Sequence, residues 1–117
     1  SELGPLPGAG ALLAVISTAT GVEPLLIGKP GPIVFQEAVK RLGGDPSNVA
    51  MVGDRLSTDI AGAKGVGLRA ILVLSGISTR DEATTGPIQP DYIFDDITAV
   101  ADFLVQSSAI LQNRVSP

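Results

Sequence analysis

The sequence predicts an α/β fold, a Rossmann-like parallel sheet layered by helices. Three observations carry this. Short apolar runs with no polar interruption, such as Val49–Val52 and Ala70–Leu74, read as strands buried on both faces, which is the mark of parallel sheets. They alternate with segments of helical periodicity, the order expected of βαβ units. The 14 glycines and 9 prolines of the 117 residues fall between these segments and act as punctuation.

The elements follow in order. Over about 8–20, Ala9, Leu12, Leu13 and Ile16 fall at i, i+3, i+4 and i+7, which predicts an amphipathic helix closed by Gly21. Pro24–Ile27 is a short apolar run ended by Gly28 and predicts a strand. A helix over about 32–42 sets Phe35, Ala38, Val39 and Leu42 on one face and stops at Gly43-Gly44, residues suited to a left-handed terminus. The strand 49–52 ends at Gly53-Asp54, and a short helix over about 58–65 follows with Ser57 or Thr58 as its N-cap. After the strand 70–74 comes a loop over 76–90 with room for one helical turn, then a strand at Tyr92–Phe94. The last helix, about 96–107, carries Ile97, Val100, Ala101, Leu104 and Val105 in its stripe, with Asp95 or Asp96 as cap. Aromatic residues are 3% of the chain, so the core is aliphatic.

Composition narrows the function. A chain of 117 residues is one domain, 1–117, with 1–7 and 112–117 as loose ends. Hydrophobic residues at 44% and a mean hydropathy of +0.37 exclude a disordered chain. No apolar run approaches the roughly 20 residues of a membrane span. The absence of cysteine and histidine excludes disulfide scaffolds, the usual zinc sites, Ser-His-Asp triads and cysteine nucleophiles. A net charge of −4 without a basic cluster argues against nucleic acid. The missing cysteines and the missing signal sequence together point to the cytoplasm. The chain opens without an initiator methionine, Met51 being its only Met, and so reads as a processed chain or a fragment.

In open parallel sheets, ligands bind beyond the carboxyl ends of the strands. Three predicted strand ends carry polar residues: Gly28-Lys29-Pro30, Gly53 to Asp59, and Ser75 to Ser78. A carboxylate at Asp54, directly after a buried strand, is a hard oxygen ligand of the kind Mg²⁺ takes. Asp59 lies five residues on, where the loop can fold it back beside Asp54; it is equally placed to cap its helix, and Asp54 to be a turn residue. Lys29 on the same rim supplies a compact positive charge able to neutralise a phosphate or a neighbouring carboxylate.

These residues stand in a larger pattern. Gly28-Lys29-Pro30, a helix, and then Met51-Val52-Gly53-Asp54-Arg55-Leu56-Ser57-Thr58-Asp59 resemble two of the motifs of the haloacid dehalogenase-like superfamily. The stretches 62–83 and 90–97 are similar to its branch of para-nitrophenyl phosphatase, phosphoglycolate phosphatase and nucleotide monophosphatase relatives, and 5–13 resembles the return from the cap of those proteins. The resemblance implies a Mg²⁺-dependent phosphohydrolase acting on a small phosphorylated metabolite. Asp54 would be a Mg²⁺ ligand, Asp59 its support, and Lys29 the group that stabilises nucleophile and phosphoryl. Gly28 and Gly53 would be structural at the site, with Gly53 letting the backbone approach the metal. Arg55 stands where such relatives often carry a small polar residue, and the resemblance gives it no role.

The family's nucleophile and general acid lie in a D-x-D motif, and this sequence contains none. Asp95-Asp96 is adjacent and late, and Asp81-Glu82 falls in a loop. The resemblance therefore implies the C-terminal half of a phosphatase core lacking the nucleophile strand. Such a chain is expected to hold Mg²⁺ weakly or not at all, and to be inactive alone. Without the central strand, the edge of strand 49–52 is open and apolar, an invitation to pairing. The missing N-terminal half or a second copy is expected to cover it. The alternative is a non-catalytic, self-associating α/β module. A receiver-like or other Rossmann-type binding domain would need a glycine-rich fingerprint after a first strand, and the G-x-G at 8–10 has no strand before it.

Overall fold

The structure, a computed structural model, describes residues 8–115, with side chains to Ala109. Its elements are α1 (Ala9–Thr20), α2 (Pro32–Arg41), β1 (Ala50–Gly53), a π-helical turn (Leu56–Ile60) leading into α3 (Ala61–Gly65), β2 (Arg69–Val73), α4 (Arg80–Thr85), β3 (Tyr92–Phe94) and α5 (Ile97–Val115). The three strands form one parallel sheet in the order β1-β2-β3, with Val52 opposite Ile71 and Leu72 opposite Ile93.

Strand β2 shows why the run from 70 to 74 has no polar residue. Ala70 and Leu72 face one side and Ile71 and Val73 the other, and all four are buried. On the first side they join Phe35 and Val39 of α2, Ile60, Ala63 and Ala83. On the second side they meet Val100 of α5, with Val52 and Phe94 packed alongside. Full burial of residues such as Leu72 and Ile60 contributes about 1.5–3 kcal/mol each. Helix α2 lies close on α3 because Gly62 has no side chain; a Cβ there would stand 2.6 Å from Phe35 Cζ. At the outset of β3, Asp91 fastens two strands: its Oδ2 accepts from the Ala70 N–H at 2.8 Å and its Oδ1 from Lys64 Nζ at 3.0 Å.

The glycine stops are where the sequence puts them. Gly21 closes α1 at φ 68°, and Gly43 and Gly44 follow α2 at φ 116° and 85°, all in the left-handed region. Asp96 caps α5, accepting from the Ala99 N–H at 2.9 Å, while Asp95 stands 3.7 Å from Arg80 in solvent.

Four expectations differ from what is observed. Residues 24–27 form no strand: Leu25, Leu26 and Ile27 are exposed, and no strand of the sheet pairs with them. An extended run becomes a strand only when its backbone groups find a ladder partner, which apolarity alone does not supply. The segment after β1 has neither Ser57 nor Thr58 as a side-chain cap; it opens as a wide turn in which the Asp59 and Ile60 N–H groups both donate to Arg55 O. Helix α1 forms as predicted but buries no residue, so its apolar stripe lies exposed. Helix α5 runs on to Val115 rather than ending near 107, and within its stripe Val100 is buried while Ile97, Leu104 and Val105 are exposed. Residues 1–7, read as a loose end, lie outside the described residues, as do 116 and 117; of the other expected loose end, 112–117, residues 112–115 are instead the last of α5. No helix among the described residues is long and apolar enough to cross a membrane.

Candidate active site

The carboxyl end of β1 opens into a cleft of about 300 Å³ lined by Lys29, Asp54, Arg55, Thr58, Asp59 and Ile77. All three charged residues singled out from the sequence, Lys29, Asp54 and Asp59, therefore meet in one place. Lys29 does not arrive from a strand. It sits in the Gly28–Gly31 turn, closed by the Gly31 N–H donating to Gly28 O at 2.9 Å, with a cis Lys29–Pro30 peptide.

Asp59 is the anchor. Its side chain is buried, and both oxygens are engaged. Oδ2 accepts from the backbone N–H groups of Asp54 and Arg55, each at 3.2 Å, and Oδ1 accepts from Lys29 Nζ at 2.5 Å. The wide turn at 56–60 is what swings this carboxylate back over the strand end, and π-type turns of this sort are common at functional sites. Gly53 makes the room: a Cβ there would lie 2.6 Å from Asp59 Oδ2 and 2.7 Å from its Cγ. Gly53 thus admits the Asp59 carboxylate. At Gly28 an added Cβ would meet nothing within 4 Å.

Asp54 is held differently. Its Oδ2 accepts from the Ile77 N–H at 3.0 Å, and its backbone carbonyl accepts from the Ser78 N–H at 2.9 Å. Among the described residues nothing donates to Oδ1. The polar loop 76–78, which follows the neighbouring strand β2, thus joins the site, a part that its sequence alone does not assign. Parallel strands end side by side, and that adjacency is the signal that loops after β1 and β2 meet.

The arrangement has a clear chemical character. Lys29 spends one of its three N–H donors on Asp59, its side chain is 46% exposed, and two donors remain for an anion in the cleft. Asp54 Oδ1 is a hard oxygen open to a cation. Asp59 is engaged by three donors, two amides on Oδ2 and the Lys29 ammonium on Oδ1. Among the described residues no group of three or more His, Cys, Asp or Glu side chains converges. One carboxylate oxygen fits a Mg²⁺ that keeps most of its waters and takes a phosphate oxygen as well. A larger groove of about 490 Å³ adjoins the cleft across Arg55 and Ile77; its other lining residues, among them Pro87 and Ile88, include a single charged one, Glu82.

Fold and cleft define a class: a parallel α/β protein with a lysine and two aspartates gathered at the carboxyl ends of its strands. The HAD-hydrolase-like family matches residues 26–100, and the chain belongs to it. It is 45% identical over 102 residues to the acid sugar phosphatase of Staphylococcus aureus (strain USA300), covering 86% of this chain and 39% of that protein. Among solved structures it is similar to the p-nitrophenyl phosphatase from Archaeoglobus fulgidus, with a TM-score of 0.74 and 34% identity over 87% of this chain and 41% of that one. It is similar also to a glycerol phosphate phosphatase from Mycobacterium tuberculosis in complex with magnesium, with a TM-score of 0.67 and 40% identity over 85% of this chain and 30% of that one. The chain spans about two fifths of the length of the curated relatives it matches.

Proposed function

We propose that this chain is the lysine- and metal-bearing part of a Mg²⁺-dependent phosphohydrolase that acts on small phosphomonoesters through an aspartyl-phosphate. The observation that carries the reading is the meeting of Lys29, Asp54 and Asp59 in one cleft at the end of β1. The names of the three relatives given above, each a phosphatase, support the reaction class, and the magnesium complex of one of them supports the metal.

The division of labour follows from the hydrogen bonds. Asp59 holds the Lys29 ammonium and, through two amides, the backbone from which Asp54 projects. Lys29 neutralises the phosphoryl oxygens as charge gathers on them, and a donor already oriented by a buried carboxylate pays little reorganisation when it does so. Asp54 Oδ1 would hold Mg²⁺, which when bound draws charge from the phosphate. No D-x-D motif supplies the attacking carboxylate, so the chain alone binds and does not turn over. The remaining length of its relatives would supply the nucleophile and cover the open edge of β1.

A chimera tests this. The chain is exchanged for the corresponding part of the S. aureus acid sugar phosphatase, and Mg²⁺-dependent hydrolysis of p-nitrophenyl phosphate is measured. The chain alone gives no turnover above its Asp54→Asn variant, the chimera turns over, and Lys29→Ala in the chimera lowers kcat by about 10²-fold or more. A folded, active chimera indifferent to Lys29→Ala would sink the reading.

A second reading, a non-catalytic self-associating module, draws on the open edge of β1 and the exposed Leu25, Leu26 and Ile27. Sedimentation separates the two: concentration-dependent association by the chain and an inactive chimera favour the module.

A further inference from the structure

We propose that Ser78 is a positioning residue for Asp54: the turn Gly76-Ile77-Ser78 fixes the carboxylate so that Oδ1 alone faces a cation. This rests on the reading above, in which Asp54 is the metal ligand.

Among the described residues Ser78 and Asp59 are the buried polar side chains, Ser78 at 6% exposure, and Ser78 lies in a loop whose neighbours Ser75, Gly76 and Ile77 are exposed. Its Oγ accepts from the Leu56 N–H at 2.9 Å, and its own N–H donates to Asp54 O at 2.9 Å. It therefore grips the backbone on both sides of Arg55. With Ser78 fixed there, the preceding Ile77 N–H reaches Asp54 Oδ2 at 3.0 Å. Gly76 closes the device from the other side, since a Cβ on it would come within 2.5 Å of both Cβ and Cγ of Asp54. The Asp54 side chain is thus confined against Gly76 with one oxygen capped by an amide, which leaves a single oxygen for a hard cation. Groups that orient a ligand in this way are worth about 10–100-fold in metal affinity.

Ser78→Ala removes the acceptor of a buried N–H and loosens the loop, whereas Ser78→Thr keeps the hydroxyl. Two readouts are taken on the chain: Mn²⁺ affinity, from paramagnetic broadening of the Gly53–Leu56 amides, and hydrogen exchange of the Ile77 amide against that of Leu72 in β2. Ser78→Ala is expected to weaken Mn²⁺ binding about tenfold and to speed Ile77 exchange while Leu72 stays protected, with Ser78→Thr restoring both. Wild-type Mn²⁺ affinity in Ser78→Ala, with Asp54→Asn abolishing binding, overturns the proposal. So does a loss of protection shared equally by Leu72, which would make Ser78 a plain core residue. If the native chain and Asp54→Asn bind Mn²⁺ alike, the assignment of Asp54 as a cation ligand fails instead; if neither binds it, as a lone carboxylate without phosphate allows, the metal readout is silent. The Ile77 exchange rate then still decides whether Ser78 holds the carboxylate: unchanged protection in Ser78→Ala overturns the proposal and lost protection upholds it.

Discussion

Replacing Asp59 separates what holds the site together from what merely touches it. In Asp59→Ala two backbone N–H groups, of Asp54 and Arg55, lose their acceptor in a part-buried loop, and Lys29 loses its partner. Hydrogen bonds to a charged acceptor contribute about 1.5–3 kcal/mol each, and at 3.2 Å these two belong at the lower end, about 3 kcal/mol together. The ion pair adds no more than about 1 kcal/mol, because the Lys29 side chain is 46% exposed and solvent screens it. Asp59→Ala is therefore expected to cost about 3–4 kcal/mol. Asp59→Asn keeps a carbonyl oxygen for the two amides and turns its NH₂ toward Lys29. It loses the ion pair and some strength in two bonds, about 1–2 kcal/mol. Urea unfolding followed by circular dichroism reads the difference. With a slope of about 1–3 kcal/mol per molar urea, the two midpoints should lie roughly 1 M apart. Lys29→Ala should cost under about 1 kcal/mol, with a coupling to Asp59→Ala no larger than that. Equal losses in Asp59→Ala and Asp59→Asn would refute the reasoning, since the backbone bonds would then not be the anchor.

Other perturbations follow from single contacts. The Asp91 carboxyl is held below the usual carboxylate range first by the Ala70 N–H bond, with burial opposing and Lys64 adding to the lowering. An acid whose pKa is lowered on folding stabilises the fold fully above about pH 4 and loses that contribution as pH falls through its folded-state value. Asp91→Asn should thus flatten the acid side of a stability–pH profile, and a profile that keeps its acid slope would count against the Ala70 contact. Gly62→Ala should cost about 1–3 kcal/mol in urea unfolding by driving a methyl into the Phe35 ring, whereas Gly65→Ala, with open space at its Cβ, should change stability by under about 1 kcal/mol and in the favourable direction. Asp96→Ala should cost about 1 kcal/mol through the lost cap of α5, and Asp95→Ala close to nothing, because its contact with Arg80 is long and exposed; reversed sizes would mean that the caps are misassigned.

Parts of this were legible in the sequence because they rest on side-chain pattern. Ala70 to Val73 carry no polar residue since both faces of β2 are covered, and Gly43 and Gly44 are glycines since the backbone there is left-handed. Asp54 and Asp59 are legible because they follow the end of β1, whereas Lys29 reaches the same cleft from a turn and not from the strand that the run 24–27 suggests. The misreading of 24–27 as a strand shows the limit of that logic: apolar residues say that a segment seeks cover, and only a ladder partner makes it a strand. The hold on Asp54 was illegible for a related reason. It is exerted by the backbone N–H groups of Ile77 and Ser78, which any non-proline residue has, so the sequence shows only the permissive Gly76 and the buried hydroxyl of Ser78.

The unfinished features of the molecule are of two kinds, and the difference bears on function. The exposed apolar residues, Leu25 to Ile27 and the stripe of α1, call for bulk cover and specify little about its nature. The cleft is unfinished in a narrower sense. Asp59 accepts from three donors, Asp54 is fixed on one oxygen and through its carbonyl, and Lys29 is tethered, so the three are positioned by contacts within the chain. What stays open is one carboxylate oxygen and two ammonium donors, a charge pattern that a divalent cation and a phosphate satisfy together. A site whose supports are closed while its functional atoms stay open is preorganised. If the proposed function holds, further length of a phosphatase would bring the attacking carboxylate and cover for the apolar surface, and would not need to rebuild Lys29, Asp54 and Asp59.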